Sequence, residues 1–531
     1  MQGRSDPQRE LLDVESVAGH LLPRGGVFEF LAAHREDVFP DAMFTDLFPS
    51  GRGRPSVPAS VVATVLVLQA LQGLSDREAA DAVTFDLRWK AACGLAVTAS
   101  AFHPTTLTYW RARLGRSARP NRVFEAVREV VVATGVLAGK HRRALDSTVL
   151  DDAVATQDTV TQLVAAVRRV ARTLPGGHEL VTGAATRSGH DYLRPGKPAI
   201  AWDDQEARIQ LIDALVRDAR AVLAAVAAGQ NAGQVELDDA GQDAIALLAL
   251  VAGQDVELVP DPSDPDGPGM WRVAQRVAPD RVISTVDPDA RHAHKTTSRR
   301  QDGFKAHVVV EPDTGIVTVA AVTKASGEGS GDAVAGAQLL AADTTVGTEV
   351  SLEVLGDSAY GTGAMLAELD AAGHVALVKP WPVNPAVPGG FTVDDFTVDD
   401  AAGTLTCPAG VTREINRVRQ VNFGVACREC PLRPRCTRSA TGKSMRIGEH
   451  DALARAHRAS AAADPQFAAT YRQHRPMVER SLAWLTRGNR KLRYRGTAKN
   501  NAWLNLRASA INLRRLTTLG LHHDGSTWAT A

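Results

Sequence analysis

The chain has 531 residues, enough for about three domains at roughly 150 residues each. Hydrophobic residues make up 44% and charged residues 23%, a globular balance that excludes wholesale disorder and a collagen-like repeat. Sixty Lys plus Arg offset sixty Asp plus Glu, so any case for nucleic-acid binding must rest on local charge, and five cysteines exclude a secreted disulfide framework.

The first residues, Met1 to Pro7, lack the apolar core of a signal peptide. The longest apolar runs, Val61 to Leu68 and Ala244 to Ala252, fall well short of the roughly 20 residues that span a bilayer. Both features predict a cytoplasmic protein without membrane contact. Pro58 opens an apolar helix that runs through Leu71 and stops at Gly73. Ser75-Asp-Arg-Glu78 has the form of a capping box, which starts a second helix. A third helix is expected near Pro104-Thr105, carrying Tyr109, Trp110, Arg111 and Arg113. Short helices with a basic third member fit a DNA-binding helix-turn-helix and an ordinary helical bundle equally well.

The pattern changes at Arg142. Arg142 to Leu150 reads as a strand with Asp146 inside it, followed by a largely helical stretch from Thr161 to Val251 and a Pro/Asp/Gly linker, Pro260 to Gly269. Phe304 to Val310 and Ile316 to Val322 read as a hairpin, because Glu311-Pro-Asp-Thr-Gly315 joins a proline-fixed dihedral to a glycine. Val350 to Leu355 reads as a buried strand ending in Gly356-Asp357. A helix over 362–371 and a strand over 375–379 complete a β-α-β unit. Asp464-Pro465 then provides an N-cap and first turn for a late helix carrying Glu479.

Charge along the chain is uneven. Between Ala201 and Met270 there are 14 Asp or Glu against 3 Lys or Arg, whereas between Tyr471 and Leu516 there are 12 basic residues and one acid, Glu479. Strand with Asp, hairpin, helix, strand ending in Asp, helix, strand, insertion and helix with Glu is the order of an RNase H-like α/β core. Such a core can gather three carboxylates for two-metal phosphodiester chemistry.

These stretches resemble bacterial insertion-sequence transposases of the DDE (Asp-Asp-Glu) class, in the branch with a helical N-terminal domain and a cysteine-bearing insertion before the final acid. The resemblance is carried by Leu71-Gln-Gly-Leu-Ser-Asp-Arg-Glu78, Leu145-Asp-Ser-Thr148, Arg291-His-Ala-His-Lys295 and Asp302-Gly-Phe-Lys-Ala-His307. It continues in Gly356-Asp-Ser-Ala-Tyr-Gly361, Arg475-Pro-Met-Val-Glu-Arg480, Arg493-Tyr-Arg-Gly496 and Asn512-Leu-Arg-Arg-Leu516. It covers roughly Pro55 to Leu516 and implies Asp146, Asp357 and Glu479 as catalytic ligands of Mg²⁺ or Mn²⁺. Asp151 and Asp152 are rivals for the first role, set aside because they lie beyond the expected strand.

The implied activity is DNA cleavage and strand transfer at terminal inverted repeats, on double-stranded element ends and target, by a homodimer in the active complex. A catalytically inactive repressor and a nuclease that cuts without joining are the alternatives. Expected DNA contacts are Arg291, His292, Lys295, Arg472, Arg475, Arg487, Arg493 and Arg495. Related transposases carry a Tyr, an Arg, the Glu and a Lys at set spacing in the last helix. Here Tyr471 is one residue too far from Arg475, and Thr486 beside Arg487 stands where the Lys is expected. Cys407, Cys427, Cys430 and Cys436 make an adequate donor set for a tetrahedral zinc site, with reduced structural thiols as the other reading.

The expected organisation is a helical N-terminal DNA-binding domain (1–125) and an RNase H-like core (140–152 and 290–380). A mainly helical insertion and linker (153–289), a cysteine-containing insertion (381–460) and C-terminal core helices with a basic stretch (461–518) complete it.

Overall fold

The computed structural model describes the chain except residues 6–11, 261–266, 277, 279, 295–299 and 489. The chain opens with helices α1 (Val14–Ala18), α2 (Val27–Val38), α3 (Ala59–Gln72), α4 (Asp76–Phe85), α5 (Leu87–Cys93), α6 (Thr105–Gly115) and α7 (Arg122–Ala133). Helix α3 is buried continuously from Ala59 to Gln69, as its nearly all-apolar sequence requires of a central bundle helix. Gly73 ends it at φ +72°, a left-handed cap that a side chain would disfavour. The expected capping box forms at α4: Ser75 N–H donates to Glu78 Oε2 at 2.7 Å, and Glu78 N–H donates to Ser75 Oγ at 3.2 Å.

Strand β1 (Arg142–Asp151) is followed by α8 (Thr159–Thr173), α9 (Gly177–Ala184), α10 (Gln205–Asn231) and α11 (Asp239–Gln254). These helices share a core that includes Leu163, Val167, Leu215, Val222 and Leu248. A small hairpin follows, β2 (Val256–Val259) with β3 (Met270–Val273). The chain then returns to the sheet of β1 through β4 (Arg291–His294), β5 (Arg300–Glu311) and β6 (Ile316–Lys324). Next come α12 (Asp332–Ala341), β7 (Glu353–Gly356), α13 (Gly363–Ala371) and β8 (Val375–Val378).

The main sheet has the order β4-β5-β1-β7-β8, with β6 also paired to β5. Strand β5 runs antiparallel to β1, β4 and β6, whereas β7 is parallel to both β1 and β8. This is the mixed α/β sheet that an RNase H-like core requires. The hairpin expected around Glu311 to Gly315 is present as β5 and β6, with Gly315 at φ +72°.

Beyond β8, the strands β9 (Thr397–Asp399), β10 (Thr404–Thr406), β11 (Thr412–Glu414), β12 (Gln420–Asn422) and β13 (Ser444–Arg446), with the short helix α14 (Arg433–Cys436), surround Phe396, Leu405, Val421, Phe423 and Ile447. Three helices follow, α15 (Asp451–Ala463), α16 (Pro465–Thr486) and α17 (Thr497–Thr518). The chain ends in a hairpin of β14 (His522–His523) and β15 (Trp528–Ala529).

Helix α17 joins two cores. Its Leu504, Ala508 and Ile511 pack with the main sheet, while Ala510, Leu513 and Leu516 pack with the N-terminal helices. Asn512 seals the junction, accepting from Val317 N–H and donating to the Val317 carbonyl, both at 2.8 Å. No single described helix is long and apolar enough to cross a membrane.

Candidate active site

Alternation along β1 sends successive side chains to opposite faces of the sheet. Ala144 and Leu150 face the core built with α16, and Asp146 shares their parity; Leu145 faces the core built with α12 and α13. In the parallel pairing of β1 with β7, Ala144 sits opposite Leu355. Two residues further along each chain stand Asp146 and Asp357, so the register brings the two acids to the same level. Asp357 follows β7 directly and caps the turn at Ser358–Tyr360, its Oδ1 accepting from Ala359 N–H at 2.9 Å.

Helix α16 supplies the rest. Asp464 caps it, accepting from Gln466 N–H, and Pro465 occupies its first turn, as expected from the sequence. Val478, Leu482 and Leu485 anchor it against Leu150, Phe304 and Val308 of the sheet. Arg475 and Glu479 stand four apart on this helix. Arg475 is almost fully buried and reaches Asp146 at two points, Nη2 to Oδ1 at 3.0 Å and Nη1 to Oδ2 at 3.2 Å. Its Nη1 also lies 3.8 Å from Glu479 Oε1, whose side chain is largely exposed.

Burial pushes the Asp146 carboxyl above the usual carboxylate range against the pull of Arg475, and the charge of Asp357 adds to the rise. Tyr471, one turn before Arg475, belongs to the same group: burial raises its hydroxyl, and it senses Arg475, Asp357 and Glu479. The spacing that set Tyr471 apart in the sequence is one helical turn, which brings it onto the face of Arg475 and Glu479.

A second polar network braces β1 from the other face. Ser147 Oγ donates to Asp332 Oδ1 at 2.6 Å, and Lys305 Nζ lies 3.2 Å from the same oxygen. His307 points Nδ1 toward Asp332 at 3.7 Å and pairs Nε2 with Thr323 Oγ1 at 3.0 Å. Burial keeps His307 neutral, lowering its pKa to about 4. Ser147, Lys305 and His307 fall in stretches singled out in the sequence, but Asp332 does not. Only the fold brings it under the strand.

Asp146, Asp357 and Glu479 offer carboxylate oxygens only, the donor type suited to Mg²⁺ or Mn²⁺. A cation already lies among them, the Arg475 guanidinium between Asp146 and Glu479. Among the described residues, the acids do not close to within 4.8 Å of one another as a trio. Mg²⁺ keeps several of its waters and usually takes only one or two carboxylates directly, so it does not need all three acids as direct ligands.

Residues 406–517 match the family model described as "Transposase DDE domain", and residues 18–113 match "Transposase domain (DUF772)". The chain carries the domains of a DDE transposase. Glu479 and Arg475 lie inside the first match; Asp146 and Asp357 lie between the two. Searches of curated proteins and of solved structures gave no match.

The basic residues divide sharply. Arg291 was expected to face DNA, but it is buried and donates to the carbonyls of Pro288 and Ala290, at 2.5 and 3.0 Å. Burial and these contacts to its own neighbouring backbone turn Arg291 away from the surface. His292 Nδ1 pairs with Asp302 Oδ1 at 2.5 Å, and Lys295 lies outside the described residues. Arg475 is likewise turned inward, because the buried Asp146 is a nearer anion than solvent-side phosphate.

Arg472, Arg487, Arg493 and Arg495 are exposed. Arg493 also donates to the carbonyls of Leu74 and Gly73, at 3.2 and 3.3 Å, which ties the C-terminal basic stretch to the loop between α3 and α4. On α6, Arg111 pairs with Asp76, whereas Thr105, Thr108, Tyr109, Arg113 and Arg116 are exposed. Thr486, at the position expected for Lys, is buried and donates to the Leu482 carbonyl at 3.0 Å.

Asp152, the rival first acid, belongs to a different group. Burial and the charges of Asp302, Asp287 and Asp151 raise it to about 6. Asp151 accepts from Gln301 Nε2 at 2.9 Å.

The four late cysteines line one small cavity of about 20 Å³ together with Phe391, Phe396 and Phe423. All carry free thiols. Cys427 Sγ accepts from Lys443 N–H at 3.5 Å, and burial, with the other three sulfurs, raises the Cys436 thiol. The sulfurs, like the acids, are not drawn into a closed cage.

Proposed function

We propose that the chain is a transposase that binds the terminal inverted repeats of its element, cuts DNA there and joins the cut end to target DNA. This reading is supported by the parallel pairing of β1 with β7, which leads into Asp146 and Asp357, together with the Arg475 bridge from Asp146 toward Glu479. Two acids from adjacent parallel strands and one from a helix packed across them give an anionic cluster open to solvent on the Glu479 side.

Asp146, Asp357 and Glu479 would hold Mg²⁺ or Mn²⁺, which supplies Lewis-acid stabilisation of the reacting phosphodiester. The chain's own groups orient the rest. Tyr471, protonated at neutral pH, can donate to a phosphate oxygen. Arg475, once released from Asp146 by an added cation, is placed to meet phosphate charge. In the cut, water attacks phosphorus and the 3′ oxygen leaves; in the joining step that 3′-hydroxyl attacks a target phosphodiester and displaces its 3′ oxygen. Both are in-line displacements, so one acidic cluster serves both.

We read 1–125 with the exposed Arg472, Arg487, Arg493 and Arg495 as the DNA-binding surface. Residues 153–289 and 381–460 are read as insertions around the core, and a dimer as the form that handles two ends. We also propose that Cys407, Cys427, Cys430 and Cys436 bind Zn²⁺, supported by their shared cavity and the N–H donated to Cys427.

The test is a pair of assays with wild type and Glu479→Gln. The variant should lose cleavage of end-bearing DNA and joining of pre-cut ends while retaining end binding. Normal cleavage by Glu479→Gln overturns the acid assignment. Wild-type cleavage without joining makes the protein a nuclease, and end binding without either reaction makes it a repressor.

A further inference from the structure

Away from the acid cluster, three side chains from the two ends of the chain converge. His34 and Asp37 stand one turn apart on α2, and His523 comes from β14 of the terminal hairpin. His34 Nδ1 lies 3.1 Å from Asp37 Oδ2, and His523 Nδ1 lies 3.9 Å from the same oxygen. One ligand atom from each of the three falls within 4.8 Å of the other two, and no other His, Cys, Asp or Glu trio among the described residues does so.

Zinc bonds of about 2.0–2.1 Å in tetrahedral geometry separate ligand atoms by about 3.3 Å. The two spacings measured here bracket that value. His34 and Asp37, three residues apart, present their side chains on the same face of α2. The third ligand comes from the opposite end of the sequence, so its arrival is not a by-product of local helix geometry.

The surroundings suit a cation. His523 packs on Trp528 with ring centroids 4.3 Å apart, and His34 meets Trp528 edge-on at 5.7 Å and Phe30 at 5.3 Å. These rings shield one side of the trio from water. The other side opens through Asp37 onto a cleft of about 440 Å³ lined by Arg119, Glu129 and Trp528, which leaves room for a water as fourth ligand. Two imidazoles and one carboxylate are the donor set of a borderline first-row divalent ion.

We propose that His34, Asp37 and His523 form a binding site for such an ion, Zn²⁺ by ligand type, which pins the terminal hairpin to α2. The alternative is a plain ion pair between Asp37 and a protonated histidine, which needs no metal.

The test uses full-length protein without a histidine tag, loaded with ZnCl₂ and desalted, its zinc counted by mass spectrometry and its thiols titrated in parallel. Wild type should bind one more equivalent than His34→Ala, Asp37→Asn or His523→Ala, with thiol reactivity equal in all four. Zinc should also protect the hairpin from C-terminal proteolysis in wild type and not in His34→Ala, a variant that keeps His523. Equal zinc content in wild type and variants, or protection that persists in His34→Ala, overturns the site and leaves an ion pair.

Discussion

Arg475 and Asp146 meet across 329 residues of sequence in a two-point ion pair, with contacts of 3.0 and 3.2 Å and both side chains largely buried. Removing one partner of a buried pair strands the other, at a cost of roughly 3–5 kcal/mol. Asp146 can escape part of that cost by taking a proton, since burial already raises its pKa. Arg475→Gln should therefore lose about 3 kcal/mol in urea unfolding at pH 8 and less at pH 5. Added Mn²⁺ should return part of the loss, because a divalent ion can replace the missing positive charge. An unchanged unfolding midpoint at pH 8 would show that the pair is screened by solvent.

Asp357 has two roles that substitution can separate. Its carboxylate caps the turn after β7, accepting from Ala359 N–H, and its charge sits beside Asp146. Asparagine keeps the capping oxygen and alanine does not. Asp357→Asn should match wild-type stability within about 0.5 kcal/mol, whereas Asp357→Ala loses about 1 kcal/mol. Both should lose DNA cleavage. Cleavage that tracks stability rather than charge would assign Asp357 a purely structural role.

Much of this arrangement is legible in the sequence because it is local. The Ser75 and Glu78 capping box, the Asp464-Pro465 helix start and the turn before Gly315 are decided by neighbours within a few residues. Strand alternation likewise gives Asp146 and Ser147 opposite faces. Contacts between distant segments are not local. Spacing pairs Arg475 with Glu479, yet the closer partner is Asp146, and spacing cannot report that the helix crosses β1. Arg291 looks like a phosphate contact by charge, but charge does not reveal burial against its own neighbouring carbonyls. Asp332 belongs to no motif and joins Ser147 only because α12 packs under the strand.

Asp152 makes stability depend on pH. Its folded pKa of about 6 lies above the ordinary 3.8 because burial and three nearby acids oppose its charge. The folded state therefore holds a proton that the unfolded chain releases. The resulting stability is present in full below pH 3.8 and is lost as pH rises through about 6. Asp152→Asn removes the buried anion while keeping an oxygen for the Val154 N–H, now donated to Asp152 at 3.3 Å. The variant should gain roughly 1–3 kcal/mol at pH 8 and nothing at pH 4, by urea unfolding at both values. A gain that is equal at both pH values would mean that the carboxyl is not protonated by folding.

The cysteine segment should depend on zinc for its own integrity. Its strands are only three residues long and its core holds few large side chains, among them Phe396, Leu405 and Phe423. A unit that small rarely holds together by apolar burial alone. If Cys407, Cys427, Cys430 and Cys436 bind Zn²⁺, Cys430→Ser should lower the zinc content by one equivalent without altering the share that depends on His523. Chelation should then open residues 391–447 to protease while the main sheet stays resistant, because the sheet's core is separate from that of the segment. Resistance that persists in chelated, zinc-free protein would make the four thiols ordinary packing groups, since the segment would then be stable without a metal.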